Sequence, residues 1–134
     1  MADGFRGFEL FFQPIVRVGQ DVPFMAESLL RFKTTDGEMV SPVEFIPILE
    51  ESGLIIPVGK WLIDRALSMC AECQKTQPEF HISVNLSYVQ ILKSDVCEEI
   101  EHWIEFYNLK PESLMVELTE SGYVDDNSPA VKRL

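Results

Sequence analysis

Two strand-like runs, "FELFFQPIV" (8–16) and "PFMAESLLRF" (23–32), open the chain with only "RVGQD" and Val22 between them. Parallel neighbours need a crossover of a dozen or more residues, so these two strands, if adjacent, run antiparallel. The rest of the fold must be built onto an antiparallel pair.

Beyond this pair, helices and strands alternate. After "KTTDGEM" comes "SPVE", where Ser41 can cap, Pro42 fits the first helical position and Glu44 can close a capping box. Pro47 is expected to restart or kink this helix, and Gly53 after "ILEES" to end it. Phe45 and Ile48 read as core, whereas Glu44, Glu50 and Glu51 read as capping or surface groups. From Pro57 to about Gln74, Leu62, Ala66, Met69, Cys70 and Cys73 recur at helical spacing. "FHISVNLS" (80–87) then alternates as a third strand. Ser94 is expected to cap a second long helix carrying Val96, Ile100, Trp103, Ile104 and Tyr107, and "SLMVELTES" supplies a fourth strand. From the second strand onward, strands alternate with helices, which predicts an α/β architecture with parallel strands in one domain. "DDNSPAVKRL" begins another capped helix at Ser128 and Pro129, and the architecture looks cut there.

The second strand also poses a chemical question. Glu27 sits among Phe24, Met25, Ala26, Leu29 and Leu30, and a carboxylate withdrawn from water needs a cation, hydrogen-bond donors or a proton. On side-chain parity Met25, Glu27, Leu29 and Arg31 share one face, Asn85 shares a face with Ser83, and Glu117 with Met115 and Thr119. The rows Ile82, Val84, Leu86 and Leu114, Val116, Leu118 suit packing beneath helices. A half-wet antiparallel sheet would alternate in the same way, with Glu27 paired to Arg31 or Lys33, so parity alone leaves both readings open.

Charge narrows the partners. Eleven Lys and Arg against 22 Asp and Glu give a formal charge of -11, which disfavours nucleic acid or an anionic membrane and favours a metal cation. No apolar run approaches the ~20 residues of a membrane span. "MADGFRGFELFF" lacks the order of a signal peptide, so the expected location is cytoplasmic. "CAEC" (70–73) has the spacing of half a zinc site, but no second ligand pair follows, and Cys70 reads as helix packing. His81 and His102 have no paired ligand or nucleophile and stay outside the site.

Taken together, "FFQPIV", "AESLLRF", "SPVEFIPILEESGLI", "SVNLS" and "VELTES" resemble, in order and spacing, the N-terminal half of an EAL domain. The resemblance runs from about Phe8 to Ser121 and implies the first half of a modified TIM (β/α) barrel whose first strand is antiparallel, with residues 1–134 forming a partial domain of four strands and their helices. It implies a cyclic di-GMP phosphodiesterase that hydrolyses its substrate to linear pGpG through metal-activated water. Glu27, Asn85 and Glu117 match the family's metal ligands, with Glu27 the catalytic carboxylate. Oxygen donors of this kind suit Mg²⁺ or Mn²⁺. Gln13, Leu29 and Arg31 match positions that contact the dinucleotide, and Thr119 and Glu120 stand where they can orient the ligands. The family signature usually reads Glu-Ala-Leu; here Ser28 replaces the alanine, faces the helix layer and needs a hydrogen-bond partner there.

The family goes on to a fifth strand with paired aspartates, a lysine strand and later glutamate and glutamine positions, which these 134 residues do not carry. A TIM-type barrel needs eight strands and typically ~250 residues. The expectation is therefore a chain inactive alone, with open edges that seek a second copy or the missing half of the barrel. A non-catalytic module that binds cyclic di-GMP or a protein is the competing expectation.

Overall fold

The computed structural model describes residues 7–119. Its sheet joins β1 (Phe8–Val16), β2 (Pro23–Lys33), β4 (His81–Ser87) and β5 (Leu114–Thr119) side by side in that order, and a two-residue strand β3 (Met39–Val40) pairs with the end of β2. β1 runs antiparallel to β2, whereas β2–β4 and β4–β5 are parallel. The antiparallel start and the parallel continuation follow from connection length. Six residues separate β1 from β2, but two helices, α1 (Pro42–Ser52) and α2 (Ile55–Gln74), fill the crossover to β4. α3 (Tyr88–Lys93), α4 (Val96–Phe106) and a short 3-10 turn at Pro111–Ser113 connect β4 to β5.

The apolar rows pack as their alternation requires. Ile82, Val84 and Leu86 are fully buried beneath α2, whose Leu62, Ile63, Ala66, Leu67 and Cys70 face them. Leu10, Phe12 and Leu30 extend this cluster across β1 and β2, and Leu114, Val116 and Leu118 extend it across β5. Helices covering one face of a parallel sheet exclude the half-wet antiparallel reading. A second cluster, Phe45, Leu49, Ile55 and Val58, seats α1 against Phe8 and Phe32.

Local expectations met mixed outcomes. Ser41 caps α1 by accepting from the Val43 N–H at 3.3 Å, without a reciprocal bond from Glu44 among the described residues. Gly53 ends the helix in the left-handed conformation, φ 83°. α2 begins at Ile55, two residues before the expected Pro57. Ile48 is 65% exposed rather than core, because α1 leans on Phe45, Ile46 and Leu49 and turns Ile48 outward. Ser94 does not start the long helix. A capping box between Ser87 and Gln90 starts α3 directly after β4, Ser94 closes α3 by donating to the Gln90 carbonyl at 2.7 Å, and Asp95 precedes α4. Among the described residues no helix is long and apolar enough to cross a membrane.

Candidate functional site

The open face of the sheet brings the predicted polar residues into one row. Gln13 of β1 stands opposite Glu27 of β2, Glu27 opposite Ser83 of β4, and Asn85 opposite Glu117 of β5. β4 lies between β2 and β5, so Asn85 sits on the strand between the two carboxylate-bearing ones. Neighbouring strands are ~4.8 Å apart, a separation that side chains on one face bridge readily. Asn85 does so: its Nδ2 donates to Glu27 Oε2 at 3.4 Å. Glu27 and Asn85 are half-buried and Glu117 is exposed. The Glu27 carboxylate thus has a neutral donor from β4 rather than Arg31 or Lys33 as its partner.

Two carboxylates and a carboxamide form an all-oxygen donor set of the type that hard divalent cations take. Among the described residues no group of three or more His, Cys, Asp or Glu could hold a metal, so such a cation would need the Asn85 amide oxygen as a donor. That mixed set fits Mg²⁺ or Mn²⁺ and fits zinc poorly.

Leu29 and Arg31 continue the face of Glu27 toward the C-terminal end of β2. There they border a 520 Å³ cavity whose walls also include Pro42, Ile46, Asn85 and Gln90. Arg31 Nη1 donates to the Leu30 carbonyl at 2.9 Å, and among the described residues Arg31 has no carboxylate partner. The cavity therefore has an apolar wall from α1 and α2 and a guanidinium and an amide at its rim, which suits a ligand with both flat apolar and anionic parts. Gln13 is exposed on β1, away from this cavity. Thr119 ends β5 opposite Ser87, and Glu120 lies outside the described residues.

Glu50 is the residue the sequence reading misplaced. It is not a free surface group: Ser87 Oγ donates to its Oε2, tying α1 to the end of β4. The capping-box spacing "SYVQ" at 87–90 was a readable signal for the turn at Ser87, but nothing in the sequence marks its link to Glu50.

The family model of the EAL domain matches residues 4–134. The signaling protein YkoW of Bacillus subtilis (strain 168) is 35% identical over 127 residues, covering 95% of this chain and 16% of YkoW. The cyclic di-GMP phosphodiesterase PdeF of Escherichia coli (strain K12) is 32% identical over 115 residues, covering 86% of this chain and 15% of PdeF. Among solved structures, the PaMucR phosphodiesterase in its c-di-GMP complex superposes with a TM-score of 0.77 at 29% identity, covering 90% of this chain and 49% of that one. The EAL enzyme Bd1971 in its cGMP-bound form gives 0.76 at 33% identity, covering 88% and 34%. The chain thus spans about half or less of each of these relatives.

Proposed function

The chain belongs to the EAL-domain family, and on that footing we propose that residues 1–134 are a partial EAL domain carrying one half of a cyclic di-GMP phosphodiesterase site. The observation that carries this reading is the Asn85 to Glu27 contact, with Glu117 in register beside Asn85. Glu27, Asn85 and Glu117 hold a divalent cation, Mg²⁺ or Mn²⁺, with Glu27 the catalytic carboxylate. When bound there, the cation supplies Lewis-acid polarisation of a phosphodiester and acidifies water for attack. Arg31 grips a phosphate with its planar fork of donors, Leu29 packs against a base, and Gln13 offers an amide from the neighbouring strand. Thr119 and Glu120 orient these groups. Hydrolysis of one P–O bond yields linear pGpG.

We infer that these residues taken by themselves bind without turning over; they span 49% of the PaMucR phosphodiesterase. The same observation favours a second reading, a non-catalytic cyclic di-GMP-binding or protein-interaction module. β1 and β5 have no outer neighbour among the described strands, so the partner is a second copy or the complementary half of a barrel. The reading places the domain in the cytoplasm, where it serves second-messenger signalling.

Calorimetric titration of Mn²⁺ and cyclic di-GMP, beside a turnover assay, tests this. Saturable binding that Glu27→Ala abolishes, with no pGpG from either chain, is the expected result. Equal binding by both chains overturns the site assignment, whereas pGpG from the wild type alone overturns only the inactivity. A monodisperse monomer in light scattering overturns the assembly.

A further inference from the structure

Three helices converge on Ser87, two residues beyond Asn85. Its hydroxyl donates to Glu50 of α1 and accepts from the Val89 N–H at 3.1 Å, while its own N–H donates to Gln90 Oε1 at 3.0 Å. Gln90 in turn lies against Gly59 of α2, where an added Cβ would fall 1.9 Å from Gln90 Nε2. Ser87 and Gln90 are each 4% exposed, so the bond from the Ser87 N–H to Gln90 forms out of water, where partners are strictly needed. α1 is also attached by apolar packing, through Phe45 and Leu49. Apolar packing is non-directional, whereas a hydrogen bond to a carboxylate fixes position and is roughly twice as strong as a neutral one.

The Ser87 end of this tie borders the cavity at the proposed site. Arg31 and Asn85 stand at its sheet side, α1 forms the facing wall through Pro42 and Ile46, and Ser87 and Gln90 also line it. We propose that Glu50, acting through Ser87, is a positioning residue that fixes the C-terminal end of β4 and so the orientation of Asn85 toward Glu27. The proposal rests on the cation-site reading above. Supporting groups of this kind orient metal ligands without touching the metal, and their loss costs roughly 10- to 100-fold in affinity.

Mn²⁺ alone is the probe, followed by calorimetry and by paramagnetic broadening of the Asn85 side-chain amide signals. Glu50→Ala is expected to weaken Mn²⁺ binding by at least about tenfold and to reduce the broadening. Glu50→Gln, which keeps an acceptor for the Ser87 hydroxyl, is expected to restore both. Ser87→Gly removes the hydroxyl while remaining an acceptable helix cap, so it loosens the same tie without depending on the fate of Glu50→Ala. Wild-type Mn²⁺ affinity in Ser87→Gly or Glu50→Ala, with Glu27→Ala abolishing binding, overturns the positioning role and leaves the site intact. Undiminished binding by Glu27→Ala overturns the site and this role with it.

Discussion

Ser28 donates its hydroxyl to the main-chain oxygen of Ser83 at 2.8 Å, and each residue is only 2% exposed. The bond joins β2 to β4 on the helix side of the sheet, directly behind the face on which Glu27 meets Asn85. It answers the need created by a serine where the family signature usually has alanine. A buried hydroxyl without a partner would cost more than its bond returns, so the partner decides whether serine is tolerated.

Ser28→Ala is therefore expected to lower the free energy of unfolding by about 0.5–1.5 kcal/mol, measured by urea denaturation. Mn²⁺ affinity should stay at the wild-type value, since adjacent strand residues point to opposite faces. A loss of Mn²⁺ binding with unchanged stability would contradict the assignment of Ser28 to the helix side.

The strands were legible because their alternation is strict and their turns are short. Glu27, Asn85 and Glu117 could be placed on one face by parity, and the register of β4 and β5 sets Asn85 opposite Glu117. Parity could not decide between a covered and a half-wet sheet; the burial of Ile82, Val84 and Leu86 under α2 does. The Glu50 to Ser87 bond was not legible, since it joins residues 37 apart in sequence and depends on the lean of α1. The same lean exposes Ile48, which was expected in the core. α3 went unread because its six residues are too few to show a period, although its capping box was there to find.

Leu67 tests the layer that holds the site in place. It is fully buried in α2, within the cluster that includes Ile82, Val84 and Leu86. Leu67→Ala is expected to cost about 2–5 kcal/mol, from lost transfer energy and an unfilled cavity. Chemical denaturation should show a lower midpoint with little change in slope, because the surface exposed on unfolding stays similar.

Cys70 should be chemically silent in the folded chain. Burial pushes its thiol up to about 11, with Cys73 adding to the rise and the Gln74 amide opposing it. The thiolate is the nucleophile, so a raised value and full burial both suppress reaction. At pH 8, iodoacetamide followed by peptide mass analysis is expected to leave Cys70 unmodified in the native chain and to label it in guanidinium. Native labelling of Cys70 ahead of the half-buried Cys73 and Cys97 would contradict the packing of α2 on β4.

Glu99 of α4 should impose a pH dependence opposite to that of an ordinary salt-bridged carboxylate. Burial raises its pKa, and Lys60, at 3.6 Å, only partly offsets that effect. A value higher in the folded than in the unfolded chain means that the folded state favours the protonated acid. The associated stability is present below the ordinary carboxylate range and is lost as pH rises through the raised value. Glu99→Gln removes this titration. The thermal midpoint of wild type minus that of Glu99→Gln is expected to fall between pH 4 and pH 7, with a total effect under about 1 kcal/mol because the pair is partly solvated. A difference that grows with pH would instead mean that the Lys60 attraction outweighs burial at this position.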